Sequence, residues 1–65
     1  QRARFYIRRV NGVPEQANPE SLWLGIRIEQ KLGNMAERDE LAASLRSRFP
    51  SAREVPALEL GRFDE

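Results

Sequence analysis

Residues 22–29 read Leu-Trp-Leu-Gly-Ile-Arg-Ile-Glu, and this stretch decides which fold the sequence predicts. Its four large aliphatic residues alternate with a mixed set of side chains. In a β-strand, a period of two places all four aliphatic residues on one face. A helical alternative exists, because Leu24, Ile28 and Leu32 are spaced by four. The β-branched isoleucines and the central Gly25 favour the strand, since these residues are poor helix formers.

The flanking sequence predicts two more strands. Ala3, Phe5 and Ile7 alternate with arginine and tyrosine, so residues 2–10 are predicted to form the first strand. Residues 21–30, which include the stretch 22–29, are predicted to form the second strand. A third strand is predicted over residues 55–63, at an edge of the sheet, because its proline lacks a backbone donor.

A helix is predicted over residues 35–49. Large apolar residues recur at every fourth position up to Phe49, as on one face of a helix. Asn34 is placed to cap the first turn, and Glu37 stands three residues later, as in a capping box. Pro50 stops the helix.

These elements predict a single α+β domain over residues 1–65, with the order β-β-α-β. The three strands form a sheet in the order 2-1-3, and one amphipathic helix packs on one face. The predicted core contains the apolar residues on the helix side of this sheet and on the facing side of the helix. They are Phe5, Ile7, Leu22, Leu24, Ile26, Ile28, Leu41, Leu45, Phe49, Leu58 and Leu60.

Composition excludes several kinds of chemistry. The chain of 65 residues contains no histidine and no cysteine, so it has neither a disulfide nor the usual zinc ligands, and no histidine can activate a serine nucleophile. The acidic residues Glu37, Asp39 and Glu40 could in principle hold a hard cation. Their spacing scatters them around a helix, however, and acidic residues in a first turn are explained by the helix dipole. We therefore expect no enzymatic activity, no cofactor and no metal.

The face of the predicted sheet that points away from the helix is a candidate binding surface. Side chains of shared parity on the first two strands face away from the helix, and they combine arginine with the only Trp and the only Tyr of the chain. These residue types are enriched at binding hot spots and also stack on bases and pair with phosphates. The alternative is a solvated face, with Trp23 packed under a loop. The predicted partner-binding residues are Arg4, Tyr6, Arg8, Trp23 and Arg27.

The function predicted from this surface is that of a small non-enzymatic binding protein. It would occupy the surface of a protein partner, as stoichiometric inhibitors such as phage anti-defence proteins do, or serve as an accessory subunit. A nucleic-acid-binding module on the same face is the alternative, although a net charge of +1 argues against it. A structural domain excised from a larger protein is a third alternative, suggested by the start at Gln1.

Self-association and location are also predicted. One helix covers only one face of the sheet, so we expect a homodimer. Its two copies pair either through the uncovered faces or, because arginines on those faces repel each other, through the edge of strand two or three. No apolar run approaches about 18 residues, so no membrane contact is expected, and the predicted location is the cytoplasm.

Overall fold

The computed structural model describes residues 2–13 and 15–61, and within these ranges the chain forms four helices and no strand. The helices are α1 (Arg2–Asn11), α2 (Pro19–Leu32), α3 (Met35–Arg48) and α4 (Glu54–Glu59). The predicted α+β class and its three-stranded sheet are therefore wrong. The first two predicted strands are α1 and most of α2. The third overlaps α4 and ends at residues 62–63, outside the described part of the chain.

The strand prediction failed because residues 22–29 satisfy two periodicities at once. The fully buried residues of α2 are Leu22, Ile26 and Glu29, at spacings of four and three. Leu24, which a strand would place on the same face as Leu22, is instead exposed. Alternating aliphatic residues always include pairs four apart, so alternation over eight residues does not exclude a helix.

Local signals set both ends of α2. Asn18 Oδ1 accepts a hydrogen bond from Ser21 N at 2.8 Å, and Ser21 Oγ accepts one from Asn18 N at 2.9 Å, which makes a capping box. Pro19 takes the first helical position, where no backbone donor is needed. Gly33 ends the helix with a φ of 79°, a left-handed conformation that glycine adopts without strain.

The helix predicted over residues 35–49 is confirmed as α3. It ends at Arg48, one residue early, with Phe49 as its cap before Pro50. The predicted capping box at its start is wrong, because the side chain of the N-cap residue Asn34 makes no capping hydrogen bond.

The core lies between α2, α3 and α4. Gly33 and Asn34 join α2 to α3, and the two helices form a helical hairpin. The facing sides of α2 and α3 meet in an apolar cluster, to which α4 also contributes. Its buried members are Leu22, Ile26, Ala42, Leu45 and Leu58. An ion pair of 2.7 Å between Arg46 Nε and Glu59 Oε1 also links α3 to α4. The predicted core was wrong at Phe5, Leu24 and Leu60, which are exposed.

None of the described helices is both long enough and apolar enough to cross a membrane.

Candidate binding surface

A buried carboxylate attaches α1 to the rest of the protein. Glu29 on α2 is only 1% exposed, and both of its carboxylate oxygens accept hydrogen bonds from Arg4 Nε, at 2.9 and 3.0 Å. Asn34 Nδ2 donates to Glu29 Oε1 at 2.9 Å. The Asn34 side chain is therefore engaged by α2 and does not cap α3. One carboxylate thus connects α1, α2 and the loop before α3.

A second, more exposed carboxylate extends this network. Glu37 Oε1, in the first turn of α3, lies 3.6 Å from Arg4 Nη2 and 3.3 Å from Arg8 Nη2. Arg4 and Arg8 are one helical turn apart, so both lie on the side of α1 nearest α3. Their positive charge is partly neutralised by Glu29 and Glu37.

Gly25 allows α1 to lie close against α2. A Cβ atom at this position would be 2.9 Å from Asn11 Nδ2 and 3.1 Å from both Ile7 Cγ2 and Leu41 Cδ1. Real Cβ contacts are almost never this short on three sides. Asn11 Nδ2 also donates to the Ser21 carbonyl at 3.1 Å. Since Arg4 contacts Glu29 near one end of α2 and Asn11 contacts Ser21 near the other, α1 runs antiparallel to α2.

The exposed part of α1 is rich in arginine and carries two aromatic rings. Phe5 is 68% exposed and Tyr6 67% exposed, although rings of this size usually bury most of their area. The helix contains no acidic residue. We use the name α1 surface for its exposed aromatic and basic residues, which are Arg2, Phe5, Tyr6, Arg8 and Arg9.

Two open grooves flank the α1 surface, and each combines an aromatic ring with arginine. The first encloses about 420 Å³ and is lined by Arg2, Arg4, Phe5 and Arg8. The second encloses about 290 Å³ and is lined by Tyr6, Arg9, Val10, Val13 and Gln16. Both grooves therefore present guanidinium groups next to apolar surface.

The structure brings together only part of the predicted site. Arg4 and Arg8 meet at Glu37, and Tyr6 is exposed on the same helix. Trp23 is partly buried and packs against the core cluster, so it is not part of the α1 surface. Arg27 lies on α2, one turn after Trp23, and is half-buried. Without a sheet, the shared face predicted for these five residues does not exist.

Sequence reasoning missed the residues that position this surface. Glu29 was predicted on the face of the second strand that points away from the helix, and Phe5 was predicted in the core. The Asn18-Pro19-Glu20-Ser21 sequence carries a helix-start signal, with an N-cap residue and a proline at the first helical position, and could have identified α2 as a helix. No comparable local signal identifies Glu29 as buried, because its partner Arg4 is 25 residues away.

No group of three or more metal-ligating side chains occurs in residues 2–13 and 15–61. Comparisons with models of protein families, with curated proteins and with solved structures gave no match.

Proposed function

We propose that this chain is a small non-enzymatic binding protein whose α1 surface contacts a protein partner. The observation that supports this proposal is the exposure of Phe5 and Tyr6 at adjacent positions among arginines. Aromatic residues and arginine are the types enriched at protein interfaces and at their hot spots. The chain would then act by occupying its partner's surface, as a stoichiometric inhibitor or an accessory subunit does.

The size of a typical interface indicates how far the contact extends. A stable complex buries about 800 Å² on each partner. The accessible surface of this protein is 4476 Å², so such a footprint is about a fifth of it. A helix of ten residues is about 15 Å long and supplies only part of that area. We therefore expect the contact to extend into the groove that contains Val13 and Gln16.

Affinity capture with matched variants tests this function. The tagged wild type, Phe5→Ala/Tyr6→Ala and the control Met35→Ala/Leu60→Ala are each incubated with extract of the native host. Captured proteins are then quantified by mass spectrometry. Met35 and Leu60 are exposed apolar residues outside α1, so the control removes a similar kind of surface elsewhere. We expect recovery of the partner to fall at least about tenfold for the α1 variant alone, since hot-spot aromatics contribute about 2 kcal/mol or more each.

Unchanged partner recovery by a folded Phe5→Ala/Tyr6→Ala protein would contradict the proposal. Circular dichroism and thermal unfolding of each variant establish that it is folded. Equal losses for the α1 variant and the control would show that the α1 surface is not the site of contact.

Nucleic acid is the second candidate partner, because α1 carries four arginines and no acid. Phosphate contacts make the logarithm of affinity fall with the logarithm of salt concentration, by about 0.7–0.9 for each neutralised phosphate. Titration of labelled single-stranded and duplex oligonucleotides at two salt concentrations tests whether the chain binds nucleic acid. Absence of binding at low salt would exclude nucleic acid as the partner.

The predicted homodimer and the predicted cytoplasmic location remain proposals. A dimer that paired two α1 surfaces would place arginine opposite arginine, so a foreign partner fits this surface better than a second copy. Sedimentation at micromolar concentration distinguishes a dimer from a monomer.

A further inference from the structure

The positive charge of the α1 surface is only partly neutralised within the protein. Arg4 and Arg8 pair with Glu29 and Glu37. In the described part of the chain, neither Arg2 nor Arg9 has an ion pair with a carboxylate. Two guanidinium groups at opposite ends of α1 are therefore available to a partner's anions.

Apolar surface lies next to each of these two arginines. Arg2 shares its groove with Phe5, and Arg9 shares its groove with Tyr6 and the valines Val10 and Val13. Guanidinium groups pair with carboxylates through two parallel hydrogen bonds. The apolar surface beside each arginine can cover an aliphatic or aromatic side chain of a polypeptide, and the net charge of +1 disfavours nucleic acid as the partner. Each of the two grooves can therefore bind a carboxylate that stands next to an apolar side chain.

From this pairing we infer that the partner of α1 is an acidic polypeptide segment whose carboxylates lie next to apolar side chains. The inference rests on the function proposed above and specifies its partner. Arg2 and Arg9 are seven residues apart on a helix, or about 10 Å. A partner spans this distance with two turns of helix or with about four extended residues. A short linear segment is therefore sufficient.

Selection of peptides on the whole protein tests this inference. A phage-displayed library of random twelve-residue peptides is selected on the immobilised 65-residue chain, and the enriched peptides are synthesised with a fluorescent label. Their dissociation constants are measured by fluorescence anisotropy, together with those of versions in which every Glu and Asp is replaced by Gln and Asn. A labelled single-stranded oligonucleotide is measured in parallel.

Three double variants separate charge from apolar contact. Arg2→Gln/Arg9→Gln removes the two unpaired cations of α1. Lys31→Gln/Arg53→Gln removes the same net charge from exposed positions elsewhere. Phe5→Ala/Tyr6→Ala removes the rings.

We expect enriched peptides to combine Asp or Glu with apolar residues. Binding should weaken about five- to thirtyfold in Arg2→Gln/Arg9→Gln and less than about twofold in the charge-matched control, since exposed ion pairs contribute modestly. The amide versions of the peptides should lose a similar factor.

The inference is overturned if no peptide is enriched, if enriched peptides show no excess of acidic residues, or if the oligonucleotide binds more tightly than every peptide. It is also overturned if the charge-matched control weakens binding as much as Arg2→Gln/Arg9→Gln. Peptides that require Phe5 and Tyr6 but not Arg2 and Arg9 would refute the acidic partner and leave the proposed function standing. Peptides that bind all three variants like wild type would contradict both.

Discussion

Replacing Glu29 by Gln should destabilise the protein by about 2 kcal/mol. The substitution keeps the shape of the side chain and removes its charge, so the hydrogen bonds from Arg4 and Asn34 lose their ionic acceptor. A hydrogen bond to a charged group contributes about 1.5–3 kcal/mol. A neutral acceptor still keeps about 0.5–1.5 kcal/mol of each bond, so the two donors Arg4 and Asn34 together lose about 2–3 kcal/mol. The Arg4 side chain is 28% exposed and can be hydrated again, which lowers the total to about 2 kcal/mol.

Thermal unfolding followed by circular dichroism measures this effect. In a domain of this size each kcal/mol lowers Tm by about 4–8 °C, so Glu29→Gln should lower it by about 8–16 °C. Glu40→Gln is the matched control, because Glu40 is exposed on α3 and makes no ion pair in the described part of the chain. Its free energy of unfolding should change by less than about 0.5 kcal/mol.

A double-mutant cycle with Arg4→Gln assigns the loss to the ion pair. Groups in direct contact couple by about 0.5–3 kcal/mol, so the double variant should be less destabilised than the sum of the two single variants by about 1–2 kcal/mol. Additive effects within about 0.3 kcal/mol would show that Arg4 and Glu29 do not interact in solution. That result would refute the account of how α1 is attached.

Three further predictions concern the same framework, each measured by urea unfolding. Gly25→Ala should destabilise by about 1–3 kcal/mol, because its Cβ overlaps Asn11, Ile7 and Leu41; a gain in stability, as expected for alanine in an uncrowded helix, would mean that α1 does not lie against this position. Asn18→Ala should cost about 1 kcal/mol through loss of the α2 cap, and no change would argue against the capping box. Leu45→Ala should cost about 2–5 kcal/mol, because Leu45 is fully buried in the core cluster; a loss below about 1 kcal/mol would contradict that placement.

The proposed binding surface was predicted only in its composition. The sequence indicated a region of arginine and aromatic residues near the N-terminus, and Tyr6 and Arg8 of that prediction lie on the α1 surface. The grouping with Trp23 and Arg27 depended on two neighbouring strands with matching parity. In a helix, residues of equal parity point in different directions. The exposed aromatic and basic residues that join Tyr6 and Arg8 on α1 are Arg2, Phe5 and Arg9.

The sequence by itself determined α3, because four-residue spacing up to Phe49 and the following Pro50 are local properties. It also determined which residue types are missing from the chain. Periodicity left helix and strand open at residues 22–29, since both periods fit, and the helix-start signal at residues 18–21 is local; only the tertiary structure decided which residues of this stretch are buried, because that depends on what covers Leu22 and Ile26. It alone decided that Glu29 is buried, because a carboxylate enters a core only with partners, and its partner Arg4 is 25 residues away in the chain.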